Sequence, residues 1–158
     1  GVEKNIEQYE GGFERNYNLK LKNYPREIVI ESSMLDFDHA IWVEIKISKE
    51  TRTIAAAAAK MPKIPHQLIC QKSFNALKNI IGLKIEHGLS KKLKELLGKN
   101  SGCVHIFKLV WLAADEAANY LGRFATLEEQ REFLKNTCVA YREDDLQQTT
   151  GDKQRKER

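Results

Sequence analysis

Three short segments carry most of the side chains that could do chemistry. "LDFDHA" holds Asp36, Asp38 and His39. "PHQLIC" holds His66 and Cys70. "GCVH" holds Cys103 and His105 at the head of a long amphipathic run. Thiolate, imidazole and carboxylate together form the donor set of a zinc or iron site. The expected ligands of such an ion are Cys70, Cys103, His105 and one of Asp38 or His39. The same residues admit a second chemistry. A thiol at a helix N-terminus is favoured as thiolate by the helix dipole and its free N–H groups. Cys70 or Cys103 could then accept sulfur or cycle through oxidation, with His105 assisting. A third reading is an interaction module in which the cysteines are small buried hydrophobes. Whether the chain is an enzyme is not decided by these residues.

The spacing sets a geometric condition. Two residues apart on a regular helix, side chains diverge by about 160°. Cys103 and His105 therefore meet only if Cys103 lies on an extended lead-in before the helix. Asp36 and Asp38 can also serve as turn residues that bond local backbone. Cys138 has no histidine or acid pattern around it, and His87, before Gly88, reads as a solvated or capping residue. The sequence contains no CxxC, HExxH, P-loop or GxGxxG pattern, so the metal signal rests on Cys/His pairs without zinc-finger spacing.

The elements that must position these groups change character midway. Asn16–Lys22, Arg26–Leu35 and His39–Ser48 alternate in hydropathy or are rich in β-branched residues, as strands do. Ile41, Val43, Ile45 and Ile47 share one face of the third. The run Ala55–Ala59 has high helix propensity, yet a turn precedes it and Pro62 and Pro65 close it. It is read as a fourth strand whose small residues let helices approach the sheet. Four helices should follow, over Pro65–Gly82, over Glu86–Gly98, from the quoted "GCVH" segment onward, and from the capping box "TLEE" at Thr126. In the first, Leu68, Ile69, Phe74, Leu77, Ile80 and Ile81 make the apolar side. In the third, Ile106, Leu109, Val110, Ala113, Ala114, Ala117 and Leu121 do. Strands first and helices after give an α+β fold, an antiparallel sheet of about four strands covered on one face by three to four helices.

A single domain is expected over 13–140, after an N-terminal extension (1–12) and before a polar tail (141–158). The chain has 158 residues, 42% hydrophobic and 30% charged, with net charge +4. No apolar run reaches the roughly 20 residues of a membrane span, so no membrane partner is expected. Three cysteines without an apolar leader point to free thiols in the cytoplasm. The basic tail "GDKQRKER" lacks the interleaved aromatics of a nucleic-acid surface. Nucleic acid is therefore not an expected partner, and a protein partner stays open.

"MLDFDHAIWVEIKI", "TIAAAAAKMPKIPHQLIC", "IGLKIEHGLSKKLKELLG" and "GCVHIFKLVWLAADEA" together resemble the bacterial family of domain of unknown function 2889. The resemblance covers about Tyr17 to Tyr120. It rests on Asp36 with His39, on Pro65 with His66 and Cys70, and on Gly102, Cys103 and His105; Val104 stands where the family pattern has Thr. It implies a fold more than an activity. A more distant similarity is to iron–sulfur scaffold proteins of the IscU type, which also place strands before helices and ligands at a strand turn and two helix starts. Here the turn lacks a cysteine, and Cys103 and His105 are separated and reversed. That resemblance implies a single metal ion as cargo, not a transferable cluster.

Overall fold

The computed structural model describes residues 11–100, 102–122, 126–136, 138–139 and 142. The N-terminal extension up to residue 10 and, apart from Arg142, the polar tail (141–158) lie outside the described residues. The chain divides into two compact units, residues 1–115 and 116–158.

The first unit opens with four strands, β1 (Arg15–Asn23), β2 (Glu27–Asp36), β3 (Ala40–Ser48) and β4 (Ile54–Lys63). They pair in sequence order as an antiparallel meander, the topology that short loops between successive strands favour. One face is apolar by strict alternation. Ile28, Ile30 and Met34 of β2 lie opposite Ile47, Ile45 and Ile41 of β3, and all six are at most 1% exposed. Burying each such side chain contributes about 1.5–3 kcal/mol.

The alanine run is a strand, as read, but for a different reason. β4 is an edge strand, and Ala55–Ala59 are exposed or half-buried, none of them fully covered. Ladder pairing with Val43–Lys46 overrides their helix propensity. Pro62 is tolerated because the register shifts there, so Trp42 pairs with Lys60 and Ala40 with Lys63. The small residues that bring helix to sheet sit elsewhere, at Ser32 in β2 and at Ala113 and Ala114 in α3, all at most 1% exposed.

After β4 come α1 (Gln67–Cys70), a 3₁₀ helix (Gln71–Ile80), α2 (Leu89–Leu97) and α3 (Val104–Gly122). The single helix expected over Pro65–Gly82 is thus two pieces. Its buried residues are Ser73, Ala76, Leu77 and Ile80, with repeats of three that suit three residues per turn. Leu68 and Ile69, expected in its apolar side, are instead 85% and 68% exposed. Gly82 ends the segment at φ +89°, where a side chain would be strained. In α2, Leu89, Leu93 and Leu97 form the buried stripe.

α3 lies on the apolar face of the sheet. The buried Ser32 hydroxyl donates to the Leu109 carbonyl at 2.7 Å, and Ile106, Leu109, Val110, Ala113 and Ala114 are all buried. Lys108 Nζ sits 4.5 Å from the centre of the Tyr17 ring on β1. In the second unit, α4 (Leu127–Leu134) opens with the expected capping box, in which Thr126 and Glu129 bond each other's backbone. Among the described residues, no helix is long and apolar enough to cross a membrane.

Candidate functional site

The β2–β3 turn builds the first half of the site. Asp36 N–H donates to the His39 carbonyl at 2.9 Å and closes the turn. Asp36 Oδ1 accepts the backbone N–H groups of Asp38 (2.8 Å) and His39 (2.7 Å). This is the local bonding by which aspartate favours turns. The same carboxylate does more. His39 Nδ1 lies 2.9 Å from Oδ1 and 3.2 Å from Oδ2. Arg15 Nε donates to Oδ2 at 2.7 Å. Arg15 stands directly opposite Asp36 in the β1–β2 register, so hairpin pairing alone puts the guanidinium beside the turn.

The Asp36 side chain is only 4% exposed, against 14% for His39 and 27% for Arg15. Burial alone pushes the Asp36 pKa up. Hydrogen bonds from Arg15, from the His39 ring and from the Asp38 and His39 backbone outweigh it, and hold the carboxyl well below the usual carboxylate range. An ionised carboxylate only accepts hydrogen bonds, so His39 carries a proton on Nδ1 and donates it to Asp36.

The start of α3 supplies the second half. Cys103 lies on the lead-in just before the helix, which begins at Val104, and its carbonyl accepts the Phe107 N–H at 2.9 Å. The condition for the two side chains to meet is satisfied, with Cys103 Sγ 3.9 Å from His105 Nδ1. The lead-in is held by Gly102, whose N–H donates to the Lys99 carbonyl at 2.8 Å. A Cβ at Gly102 would lie 1.8 Å from the Leu97 carbonyl oxygen, so only glycine fits between the end of α2 and Cys103.

The halves join through the two imidazoles. The His39 and His105 rings have centroids 4.5 Å apart and are tilted by 56°. Burial pushes the His105 pKa down, and charge on His39, Arg15 and Lys108 pushes it further down against the opposing pull of Asp36. Both effects favour the neutral ring, which in the tautomer with its proton on Nε2 can accept a proton at Nδ1. The result is a continuous run of contacts, Arg15–Asp36–His39–His105–Cys103, at one end of the sheet.

Of the residues singled out from sequence, the structure brings His39, Cys103 and His105 together. Asp38 joins through its backbone N–H, and the residue itself is exposed. Cys70 is half-buried where α1 meets the 3₁₀ helix; its backbone N–H donates to the His66 carbonyl and its carbonyl accepts from the Ser73 hydroxyl. His66 and His87 are exposed, as is Cys138. Sequence reasoning left Asp36 as a turn residue and missed Arg15. The signal for both was the hairpin register, since a cation at the start of β1 falls opposite the end of β2.

Among the described residues, no group of three or more His, Cys, Asp and Glu side chains is placed to hold a metal ion. Asp36 already serves Arg15, His39 and two backbone donors, so it is poorly placed to act as a ligand as well.

The fold and these contacts define an α+β domain with a thiol–histidine cluster, anchored by a buried carboxylate, where sheet and helix meet. The chain belongs to the family described as "Protein of unknown function (DUF2889)", whose model matches residues 20–119. That span includes Asp36, His39, Cys70, Cys103 and His105; Arg15 precedes it. No curated protein and no solved structure gives a significant match, and the likeness to iron–sulfur scaffolds gains no support from the comparisons.

Proposed function

We propose that the protein works through the thiol of Cys103, with His105 as its proton acceptor. The observation that carries this is the 3.9 Å approach of Cys103 Sγ to Nδ1 of a histidine held neutral by its surroundings. As the sulfur attacks an electrophilic carbon or sulfur, the S–H proton passes to His105 Nδ1. A new bond forms from Sγ, the old bond to the leaving group breaks, and the leaving group departs with the electron pair and recovers the proton from His105. His39, fixed in one tautomer by Asp36, packs against His105 and orients it, the role a third group plays in nucleophile–base pairs. A neutral His105 favours transfer during attack over a standing thiolate–imidazolium pair.

The experiment is competitive alkylation of the full chain by iodoacetamide at neutral pH, read cysteine by cysteine by peptide mass spectrometry. Cys103, although half-buried, should react about tenfold faster than the exposed Cys138, and His105→Ala should abolish the difference while circular dichroism shows the fold retained. Equal rates at the two cysteines in the unmodified protein would remove the proposal.

A metal ion is the second reading, favoured by one observation. His39 gives one ring nitrogen to a carboxylate and keeps the other, as metal-ligating histidines do. Zinc or iron would then need Cys103, His39 and His105 to draw into a common shell that they do not form as placed, with Cys70 and Asp38 outside the set. Metal content after purification without an affinity tag separates the readings. Less than about a tenth of an equivalent, unchanged by Cys103→Ala, leaves only the thiol reading; tetrahedral zinc would instead need its ligands fully engaged.

A further inference from the structure

The fixed charges around Cys103 bear on what it reacts with. Arg15 is 27% exposed at its side chain, commits Nε to Asp36, interacts with the Tyr17 hydroxyl and lies 5.1 Å from the centre of the Phe13 ring; a guanidinium has five N–H donors, so these contacts do not exhaust it. Lys108 is exposed and one helical turn beyond His105, so it shares that face of α3. It is steadied over the ring of Tyr17 at 4.5 Å. Tyr17 in turn lies two residues from Arg15 on the same face of β1. The two cations therefore flank the histidine pair, one from the sheet and one from the helix. A third, Lys63, donates from Nζ to the Phe37 carbonyl in the same turn. Against these stand two carboxylates in that turn, Asp36, already engaged, and the exposed Asp38. The first turn of α3 contains no acidic residue, and its dipole adds to the same sign.

Resting on the thiol reading above, we infer that the molecule Cys103 attacks is a small anion, its carboxylate or phosphate held by Arg15 and Lys108 beside the thiol. Charge on Arg15 and Lys108 is also felt at His105, which places both cations within electrostatic reach of the reacting pair. An anion bound there offsets that charge and makes His105 a better base when the site is filled.

The test uses two alkylating reagents that differ in charge, iodoacetate and iodoacetamide, on the full chain in low salt. In both, an S–C bond forms, the C–I bond breaks, iodide leaves and the thiol proton is released. The readout is the iodoacetate-to-iodoacetamide rate ratio at Cys103, divided by the same ratio at exposed Cys138. We expect a value of at least about 3 that falls toward 1 in 1 M salt, because screening there acts within roughly 3 Å. Lys108→Gln, at an exposed position, should lower the ratio in low salt. A ratio of 1 or below while Cys103 remains fast with iodoacetamide overturns the anion inference and leaves the thiol reading standing. Slow reaction of Cys103 with both reagents overturns both.

Discussion

Replacing Asp36 by Asn tests the anchor of the cluster. The carboxylate accepts from Arg15 Nε (2.7 Å), Asp38 N (2.8 Å), His39 N (2.7 Å) and His39 Nδ1 (2.9 Å). Asparagine keeps one oxygen, enough for the two turn N–H groups on Oδ1. Its amide puts N–H donors where Oδ2 faced the guanidinium. Breaking a fully buried ion pair costs about 3–5 kcal/mol. Here the carboxylate is 4% exposed but Arg15 is 27% exposed and can turn partly to water, so the expected loss is about 2 kcal/mol at pH 7. Urea titrations with a common slope would show it as a shift in midpoint. The pH dependence sharpens the test. Asp36 has a depressed pKa in the fold, so its stabilisation is complete above the unfolded value near ~3.9 and drains away as pH falls below it. The wild type should lose up to about 1.4 kcal/mol per pH unit from this one group between about pH 4 and pH 2. Asp36→Asn lacks that slope, so the gap between the two proteins narrows in acid. Midpoints that agree within about 0.5 kcal/mol at pH 7, with parallel acid limbs, would refute the anchoring role.

Gly102→Ala should cost about 1–3 kcal/mol, because the new methyl meets backbone at Leu97 and not a yielding side chain; thermal unfolding measures this, and unchanged Cys103 alkylation in a folded variant would show that the lead-in can move without harm. Ser32→Val should push α3 away from the sheet and lower stability by about 1–3 kcal/mol, whereas Ser32→Ala, losing only the bond to the Leu109 carbonyl, should cost about 0.5–1.5 kcal/mol. Equal melting temperatures for the two Ser32 variants would show that close approach at this point does not matter.

The sheet was legible because its signals agree at every level. β3 alternates residue by residue, and short turns separate β1 to β4, so pairing order followed from proximity. The buried face of α3 was legible for the same reason, one long helix with one apolar side. What escaped were features set by neighbours. Leu68 and Ile69 look like core residues, but they precede the 3₁₀ segment whose Ser73, Ala76, Leu77 and Ile80 actually pack. The alanines of β4 looked like a surface for helices, yet an edge strand can hold small residues half-exposed, and Ser32 with the α3 alanines makes the close contact. The partner of Asp36 was invisible because Arg15 enters the cluster through register, which no local pattern reports. Val104 separates Cys103 from His105 by a spacing that only a lead-in outside the helix makes productive, so that pair was legible as a condition, not a contact.

The two halves of the cluster raise different questions. The Asp36–His39 turn with Arg15 needs no chemistry to explain it, since a carboxylate that locks a hairpin turn and pairs across the strand register is sufficient cause for all three residues. The thiol is different. A buried alanine or valine would pack at a helix lead-in at least as well, with no sulfur left half-exposed against a ring nitrogen. Nothing in the turn requires His105 to be a histidine either, because any planar side chain could stack on His39. What stability does not demand is the combination, a half-buried thiol, a neutral imidazole at 3.9 Å and a second imidazole with its tautomer fixed by a buried carboxylate. The combination exists only when α3 is seated on the sheet through Ser32 and Lys108, so the reactive pair and its support come together only in the folded protein. A replacement that preserves packing and removes chemistry, Cys103→Ala, should therefore leave stability within about 0.5–1 kcal/mol of the parent. A loss of several kcal/mol would mean that the sulfur belongs to the core and that the cluster is structural throughout.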